Sequence, residues 1–197
     1  MTGFEHEINK CYIIAEIANA AQGVVEANYE LIDLASRAGA NAVKFQFYRY
    51  DFLAAKSYSK YDIYQNTFYT EKERLDFVSY AAGKGLDIWV DVFDRWGLGV
   101  VEKCLPQLSG IKIPPTIVLD TSLVNAIASL GLPVAIGVGG YDDEDIDFVL
   151  SQFQEKTNSF LMYGFQGFPS KEEDTVLSRI AYLKKKYKLK IGFADHV

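Results

Sequence analysis

Short apolar runs alternate with amphipathic windows along the chain, and this alternation limits the possible folds more than any other feature. The runs are rich in β-branched residues, and the windows carry apolar residues at helical spacing, which is typical of strands followed by helices. Strands that are apolar on both faces and are joined by helices indicate a parallel sheet covered by helices. Seven strands are predicted, at residues 11–17, 42–46, 86–92, 110–113, 133–136, 159–163 and 190–193.

Helix-start signals support these divisions, because a Ser or Thr followed three residues later by Glu forms a capping box. The predicted caps are Thr70 with Glu73, Thr121 or Ser122, and Ser170 with Glu173. The tyrosine-rich stretch 47–69 has no clear period, and it is interpreted equally well as a loop over the mouth of a barrel or as a subunit contact.

The sheet can be an open, doubly wound sheet or a closed barrel. An open sheet of this kind usually carries a glycine fingerprint directly after its first strand, and residues 18–23 contain none. Polar residues instead follow nearly every predicted strand, as in a barrel active site. We therefore predict an α/β fold of the TIM-type (β/α)8 barrel class with seven βα units in this chain. Because such barrels have eight strands in about 250 residues, we expect the barrel domain 1–197 to be incomplete at its C-terminus, with no second domain in the sequence.

Composition excludes several classes of partner. The formal net charge of −6 and the sequence pI near 5.0 argue against nucleic acid and membrane surfaces. No signal-peptide pattern opens the chain, and no apolar stretch reaches the length of a membrane span. Cys11 and Cys104 lie far apart among apolar residues, which favours two buried thiols in a reducing compartment. We expect a cytoplasmic protein.

The residues at the predicted strand exits are the candidates for chemistry. Lys44 and Lys112 each interrupt an apolar strand, and a buried ammonium group is costly unless it meets an anion. The pair predicts a site for a phosphate or carboxylate ligand, and the alternative is a structural ion pair with Glu16 or Asp91. The glycine-rich turn 137–140 offers backbone amides to an anion, and His196 with its neighbour offers a metal ligand. The polar exit residues are Glu16, Lys44, Gln46, Asp91, Asp94, Lys112, Gln166, Asp195 and His196.

Several of these exits resemble the sialic acid synthase (N-acetylneuraminate synthase) family. The most specific pieces are GANAVKFQ at 39–46 and IGFADH at 191–196. Shorter ones occur in the same order as in the family: IAEI at 14–17, FD at 93–94, IKI at 111–113, LPV at 132–134 followed by Gly139, and FP at 168–169.

The resemblance implies a transferase that condenses phosphoenolpyruvate with an N-acetylated amino sugar, assisted by a divalent metal such as manganese or magnesium. It implies that Lys44 and Lys112 bind phosphoenolpyruvate, that Glu16 lies at the reacting centre and that His196 is a metal ligand. Gln46 would contact the sugar. The resemblance also implies a homodimer. The further substrate-binding candidates are Asp91, Asp94, Gln166, Phe168 and Asp195.

The chain departs from the family at the positions where small hydroxyl residues usually meet the phosphate. These positions are Asp91, Pro115, Gly137 and Ala194. An aspartate repels a phosphate, and the loss of hydroxyl donors leaves the anion poorly satisfied. Two alternatives therefore stay open: a divergent lyase or aldolase-type barrel that acts on another carbonyl or sugar substrate, and a non-catalytic sugar-binding barrel.

Overall fold

The computed structural model describes residues 11–153, 158–167 and 169–196. Strands and helices alternate, as the apolar pattern predicts. The strands are β1 (Ile14–Glu16), β2 (Ala42–Phe47), β3 (Asp87–Val92), β4 (Gly110–Ile113), β5 (Val134–Gly137), β6 (Ser159–Tyr163) and β7 (Ile191–Phe193).

Helices follow the strands, and two short ones occupy the tyrosine-rich stretch. The helices are α1 (Val25–Arg37), α2 (Tyr50–Leu53), α3 (Tyr61–Asn66), α4 (Glu71–Gly83), α5 (Arg95–Cys104), α6 (Thr121–Ala128), α7 (Asp143–Ser151) and α8 (Ser178–Tyr187).

The strands follow one another in chain order, β1 to β7, within one sheet. The chain forms two compact units, Met1–Ile111 and Lys112–Val197. In the first unit β1, β2 and β3 pair in parallel, and in the second β5, β6 and β7 do so. Nearly every residue of β2 and β3 is buried, as expected for strands covered on both faces. The predicted class, strands joined by helices in a parallel sheet, is confirmed.

Two strand predictions match the structure at both ends, those for β4 and β6. The first strand is shorter than predicted, because regular pairing with β2 covers only Ile14 to Glu16. Beyond it the chain turns through residues 18–23, where Ala18 and Gln22 adopt positive φ angles of 40° and 52°. These left-handed residues end the strand and lead it into α1.

One of the three predicted caps is confirmed as stated. Thr70 and Glu73 form the capping box of α4. The cap of α6 is not Thr121 or Ser122 but the preceding Asp120, whose carboxylate accepts a hydrogen bond from the Leu123 amide at 3.0 Å.

The predicted capping box of Ser170 with Glu173 is wrong. The Ser170 hydroxyl donates a hydrogen bond to the Gly167 carbonyl, and its amide donates one to the His196 carbonyl. Because Ser170 is held there, residues Glu172–Asp174 form only a 3-10 turn, and α8 begins at Ser178.

Two further expectations are tested by burial and length. Cys104 is buried but Cys11 is exposed, because Cys11 precedes the first strand, so the prediction of two buried thiols is wrong for Cys11. Within the described residues, no helix is long and apolar enough to cross a membrane.

Candidate active site

Three charged side chains meet at the carboxyl ends of the first three strands. Glu16 is paired in register with Lys44, and Gln46, two residues further along β2, is paired with Asp91. Register partners point to the same face of a parallel sheet, and side chains alternate along each strand. All four side chains therefore share one face, and the sequence brings the charges together through register alone.

Lys44 binds both carboxylates of this charged triad, which we define as Glu16, Lys44 and Asp91. Its ammonium group donates a hydrogen bond to Asp91 Oδ2 at 2.7 Å and another to Glu16 Oε2. The side chains of Asp91 and Lys44 are 1% and 8% exposed, whereas that of Glu16 is 41% exposed. The triad thus runs from a buried carboxylate, through a buried ammonium group, to a carboxylate at the surface. Of the two explanations given above for Lys44, the structure shows the ion pair with carboxylates.

The pKa of Lys44 lies above its ordinary value. Burial alone would lower this pKa, but the charges of Asp91 and Glu16 and their hydrogen bonds outweigh burial. Lys44 therefore stays protonated at neutral pH and acts as a hydrogen-bond donor. An amine must be neutral to attack a carbonyl group, so this environment does not favour Lys44 as an imine-forming nucleophile.

Glu16 is held from two sides. Its Oε2 accepts from Lys44, and its Oε1 accepts a hydrogen bond from the Ala18 amide at 3.1 Å. The positive φ of Ala18 belongs to the turn that aims this amide back at the strand end. Glu16 is thereby an oriented carboxylate that solvent and a substrate can reach, which suits a hydrogen-bond acceptor or a proton carrier.

Asp94 has a structural role in addition to its predicted one. Its two oxygens accept hydrogen bonds from the Gly97 amide at 2.6 Å and from the Arg49 amide at 2.7 Å, so it caps α5 and fixes the segment after β2. Gln46 is half-buried on β2. Substrate binding by Asp94 and Gln46 stays a prediction.

Arg74 was not anticipated from the sequence, although it supports the same end of β2. It is 4% exposed and donates hydrogen bonds to the carbonyls of Gln46, Tyr48 and Tyr69. The signal was available, because Arg74 shares the spacing of Phe77 and the other buried residues of α4.

The second unit holds the remaining candidates. Lys112 is half-buried on β4. Gln166, after β6, donates a hydrogen bond to the Gly164 carbonyl at 3.2 Å. Asp195 is exposed after β7, and Phe168 lies outside the described residues.

The glycine-rich turn 137–140 does not lead into an open helix N-terminus. Asp142 caps α7 by accepting hydrogen bonds from the Glu144 and Asp145 amides at 2.9 and 3.0 Å, and the first turn of the helix is itself acidic. Negative charge already lies at the start of α7, so this helix offers no N-terminal site to an anion, and anion binding by the amides of the turn itself stays a prediction.

Pro115 and Gly137, two of the altered hydroxyl positions, fit each other. A Cβ at Gly137 would lie 2.7 Å from Pro115 Cδ and 3.1 Å from the Ile113 carbonyl oxygen. The Tyr141 hydroxyl donates a hydrogen bond to the Pro115 carbonyl at 2.5 Å and holds the proline there. The proline ring occupies the space that a side chain at position 137 needs.

His196 is the metal ligand that the resemblance implies. Its Nδ1 lies 3.0 Å from the Phe165 carbonyl oxygen, an arrangement that orients many metal-binding imidazoles. However, the described residues contain no group of three or more His, Cys, Asp or Glu side chains arranged to hold a metal ion. The described residues therefore do not make up a complete metal site.

The fold and these strand-end residues define an α/β barrel with charged groups at the carboxyl ends of its strands. The sequence matches the NeuB family over residues 31–197. The chain belongs to the NeuB family.

Known relatives agree with this assignment. The chain is 24% identical to pseudaminic acid synthase of Campylobacter jejuni, a match that covers 95% of this chain and 59% of the relative. It is also 24% identical to N,N'-diacetyllegionaminic acid synthase of Legionella pneumophila, over 94% of this chain and 57% of the relative. The chain thus spans less than two thirds of the length of these two relatives.

A solved structure supports the barrel assignment. The crystal structure of N-acetylneuraminic acid (sialic acid) synthetase from Leptospira borgpetersenii, in complex with citrate, matches with a TM-score of 0.89 at 28% identity. The match covers 95% of this chain and 66% of that chain. The predictions of the barrel class and of the family are confirmed.

Proposed function

We propose that the protein is a sugar-acid synthase that condenses phosphoenolpyruvate with the aldehyde carbon of an N-acetylated amino sugar. The observation that carries the proposal is the charged triad of Glu16, Lys44 and Asp91 at the carboxyl ends of β1, β2 and β3. That end of the strands is where barrels of this kind have their active sites. Membership of the NeuB family, whose relatives include synthases of sugar acids, supports the same reaction type.

The roles follow from the contacts. Lys44 keeps Glu16 in a fixed orientation, and Glu16 presents its carboxylate to the substrate as a hydrogen-bond acceptor for a sugar hydroxyl or a reacting water. Lys112, in the second unit, is the proposed binding group for the donor's anion. Manganese or magnesium dependence and a homodimeric assembly stay predictions, which metal titration and sedimentation would measure.

The test is a condensation assay on the full-length protein with phosphoenolpyruvate, manganese and a panel of N-acetylhexosamines. We expect phosphate release that depends on one sugar, together with a product of matching mass. Glu16→Gln should lower kcat by about a hundredfold, because it removes the charged acceptor. Glu26→Gln, an exposed glutamate on α1, is the matched control and should leave the rate unchanged. Absence of sugar-dependent phosphate release with every sugar would contradict the proposal.

A second candidate is a lyase or aldolase-type barrel that acts on another carbonyl compound. The contact of Asp91 with Lys44 favours it, because this contact places a carboxylate, able to act as an acid or base, where an anionic donor would otherwise bind. Borohydride trapping with candidate aldehydes and keto acids distinguishes a mechanism that forms an imine on a lysine from one that does not. The raised pKa of Lys44 predicts no adduct on Lys44.

A further inference from the structure

We propose that Asp91 is a built-in counter-ion for Lys44, and that it excludes phosphate and carboxylate groups of a substrate from this end of β2. In their place Lys44 takes an uncharged polar group, such as a hydroxyl, a carbonyl or an amide oxygen. Asp91 is thereby a specificity-determining residue. The inference deepens the proposed function by stating which part of the substrates the triad can receive, but its test does not require turnover.

The number of hydrogen-bond donors on Lys44 limits what it can bind. A lysine ammonium group has three donors, and Lys44 gives two of them to Asp91 and Glu16. At most one donor remains for a ligand. One donor satisfies a neutral oxygen, whereas a buried phosphate needs several donors to replace the water that it loses.

The net charge of the triad also disfavours an anion. The triad contains two carboxylates and one ammonium group, so its formal charge is −1, and Asp91 is almost completely buried. An anion bound to Lys44 would lie roughly 4 Å from the Asp91 carboxylate. Repulsion at that distance with an effective dielectric constant of about 20 weakens binding by about a thousandfold. A neutral oxygen escapes this repulsion.

The exposed end of the triad gives a substrate access to it. A purely structural ion pair gives little stability compared with apolar packing, and it does not need an exposed end. This triad ends in Glu16, whose side chain is 41% exposed at the strand exits. A substrate that reaches Glu16 therefore meets a site of net negative charge. The buried carboxylate of Asp91 makes the net charge negative, because it neutralises Lys44 and leaves the charge of Glu16 uncompensated.

The experiment is a double-mutant cycle on the full-length protein, with binding of inorganic phosphate and of phosphoenolpyruvate measured by calorimetry. The variants are Asp91→Asn, Lys44→Met and the double variant. Asp91→Asn keeps the size of the side chain and removes its charge. Asp76→Asn makes the same charge change at a surface carboxylate paired with Lys72, and it serves as the matched control.

We expect Asp91→Asn to raise the affinity for inorganic phosphate by about a hundredfold or more, and only when Lys44 is present. In the natural protein Lys44→Met should change the affinity for either anion by less than about threefold, because other groups bind it. Asp76→Asn should change neither. Circular dichroism melting identifies any variant that does not fold. If Asp91→Asn does not fold, the comparison of the natural protein with Lys44→Met still tests whether anion binding depends on Lys44.

Two results would overturn the inference: Lys44-dependent anion binding by the natural protein, or a folded Asp91→Asn variant with no gain in affinity. Neither result depends on the condensation assay. If the proposed function fails, turnover is missing while Asp91→Asn still gains Lys44-dependent affinity for phosphate. If the inference fails, one of the two contrary results appears whether or not turnover is observed.

Discussion

Arg74 is a buried cation that holds the carboxyl end of β2 and the segment that follows it. Four aromatic rings lie within 5.2 to 5.6 Å of its guanidinium carbon, those of Phe47, Tyr48, Phe68 and Trp96. Its hydrogen bonds go to backbone carbonyls, and burial lowers its pKa to about 10. The charge is stabilised by carbonyl dipoles and ring faces, which fixes the chain that leaves β2.

We predict that Arg74→Met lowers the free energy of unfolding by about 3 kcal/mol, because two buried carbonyls and one partly buried carbonyl lose their donor. Lys72→Met, on the same helix, is the control, since Lys72 is exposed and its i,i+4 pair with Asp76 contributes little to stability. Urea denaturation measures both. Equal effects of the two substitutions would contradict the role of Arg74.

Sequence reasoning reached the triad only in part. Lys44 stands out because a lysine inside an apolar strand needs a counter-charge, and that inference required no structure. The sequence could not decide between a ligand and a side chain as the anion, because that depends on strand register. The pairing of Gln46 with Asp91 places Asp91 on the face that Lys44 shares, where the two side chains form an ion pair.

Pro115 and Gly137 couple two neighbouring elements of the second unit. Gly137 ends β5, and Pro115 begins the 3-10 turn Pro115–Ile117 after β4. Each substitution taken alone looks like the loss of a hydroxyl group. Together they form a steric pair in which the ring fills the space beside the glycine. The proline ring therefore leaves no room for a side chain at position 137.

Gly137→Ser is therefore predicted to lower the free energy of unfolding by about 1–3 kcal/mol, because its Cβ overlaps the proline ring. Combining it with Pro115→Ala should recover most of that loss, and the two effects should not add. Gly99→Ser is the control, since nothing lies within 4 Å of an added Cβ there. Additive effects in thermal unfolding would mean that the ring does not limit position 137.

For the whole chain, hydrophobic alternation predicted the order of strands and helices, since burial on both faces leaves a plain apolar signal. The ends of helices and strands are harder to predict from the sequence where they depend on hydrogen bonds between distant residues. The Ser170 pattern matches a helix start, but its amide is engaged by the His196 carbonyl, a contact between distant residues that local sequence does not reveal. The same limit applies to Cys11, whose apolar neighbours gave no indication of its exposure.

The two cysteines offer a measure of how the whole fold opens. Cys104 is 2% exposed at the end of α5, and burial raises the pKa of its thiol to about 11, whereas Cys11 is exposed. Alkylation needs the thiolate, so at about pH 8 iodoacetamide should modify Cys11 quickly and Cys104 only when the structure opens.

The pH dependence has a definite sign. Because the folded pKa of Cys104 lies above the ordinary thiol value of 9.0, the unfolded chain loses this proton first as the pH rises. The contribution of this thiol to stability is therefore complete below about pH 9 and decreases above it. Peptide mapping by mass spectrometry, with and without urea, measures both thiols in one protein, and each is the control for the other. Equal modification rates without urea would contradict the burial of Cys104, and a Cys104→Ala variant whose alkaline unfolding is unchanged would contradict the linkage.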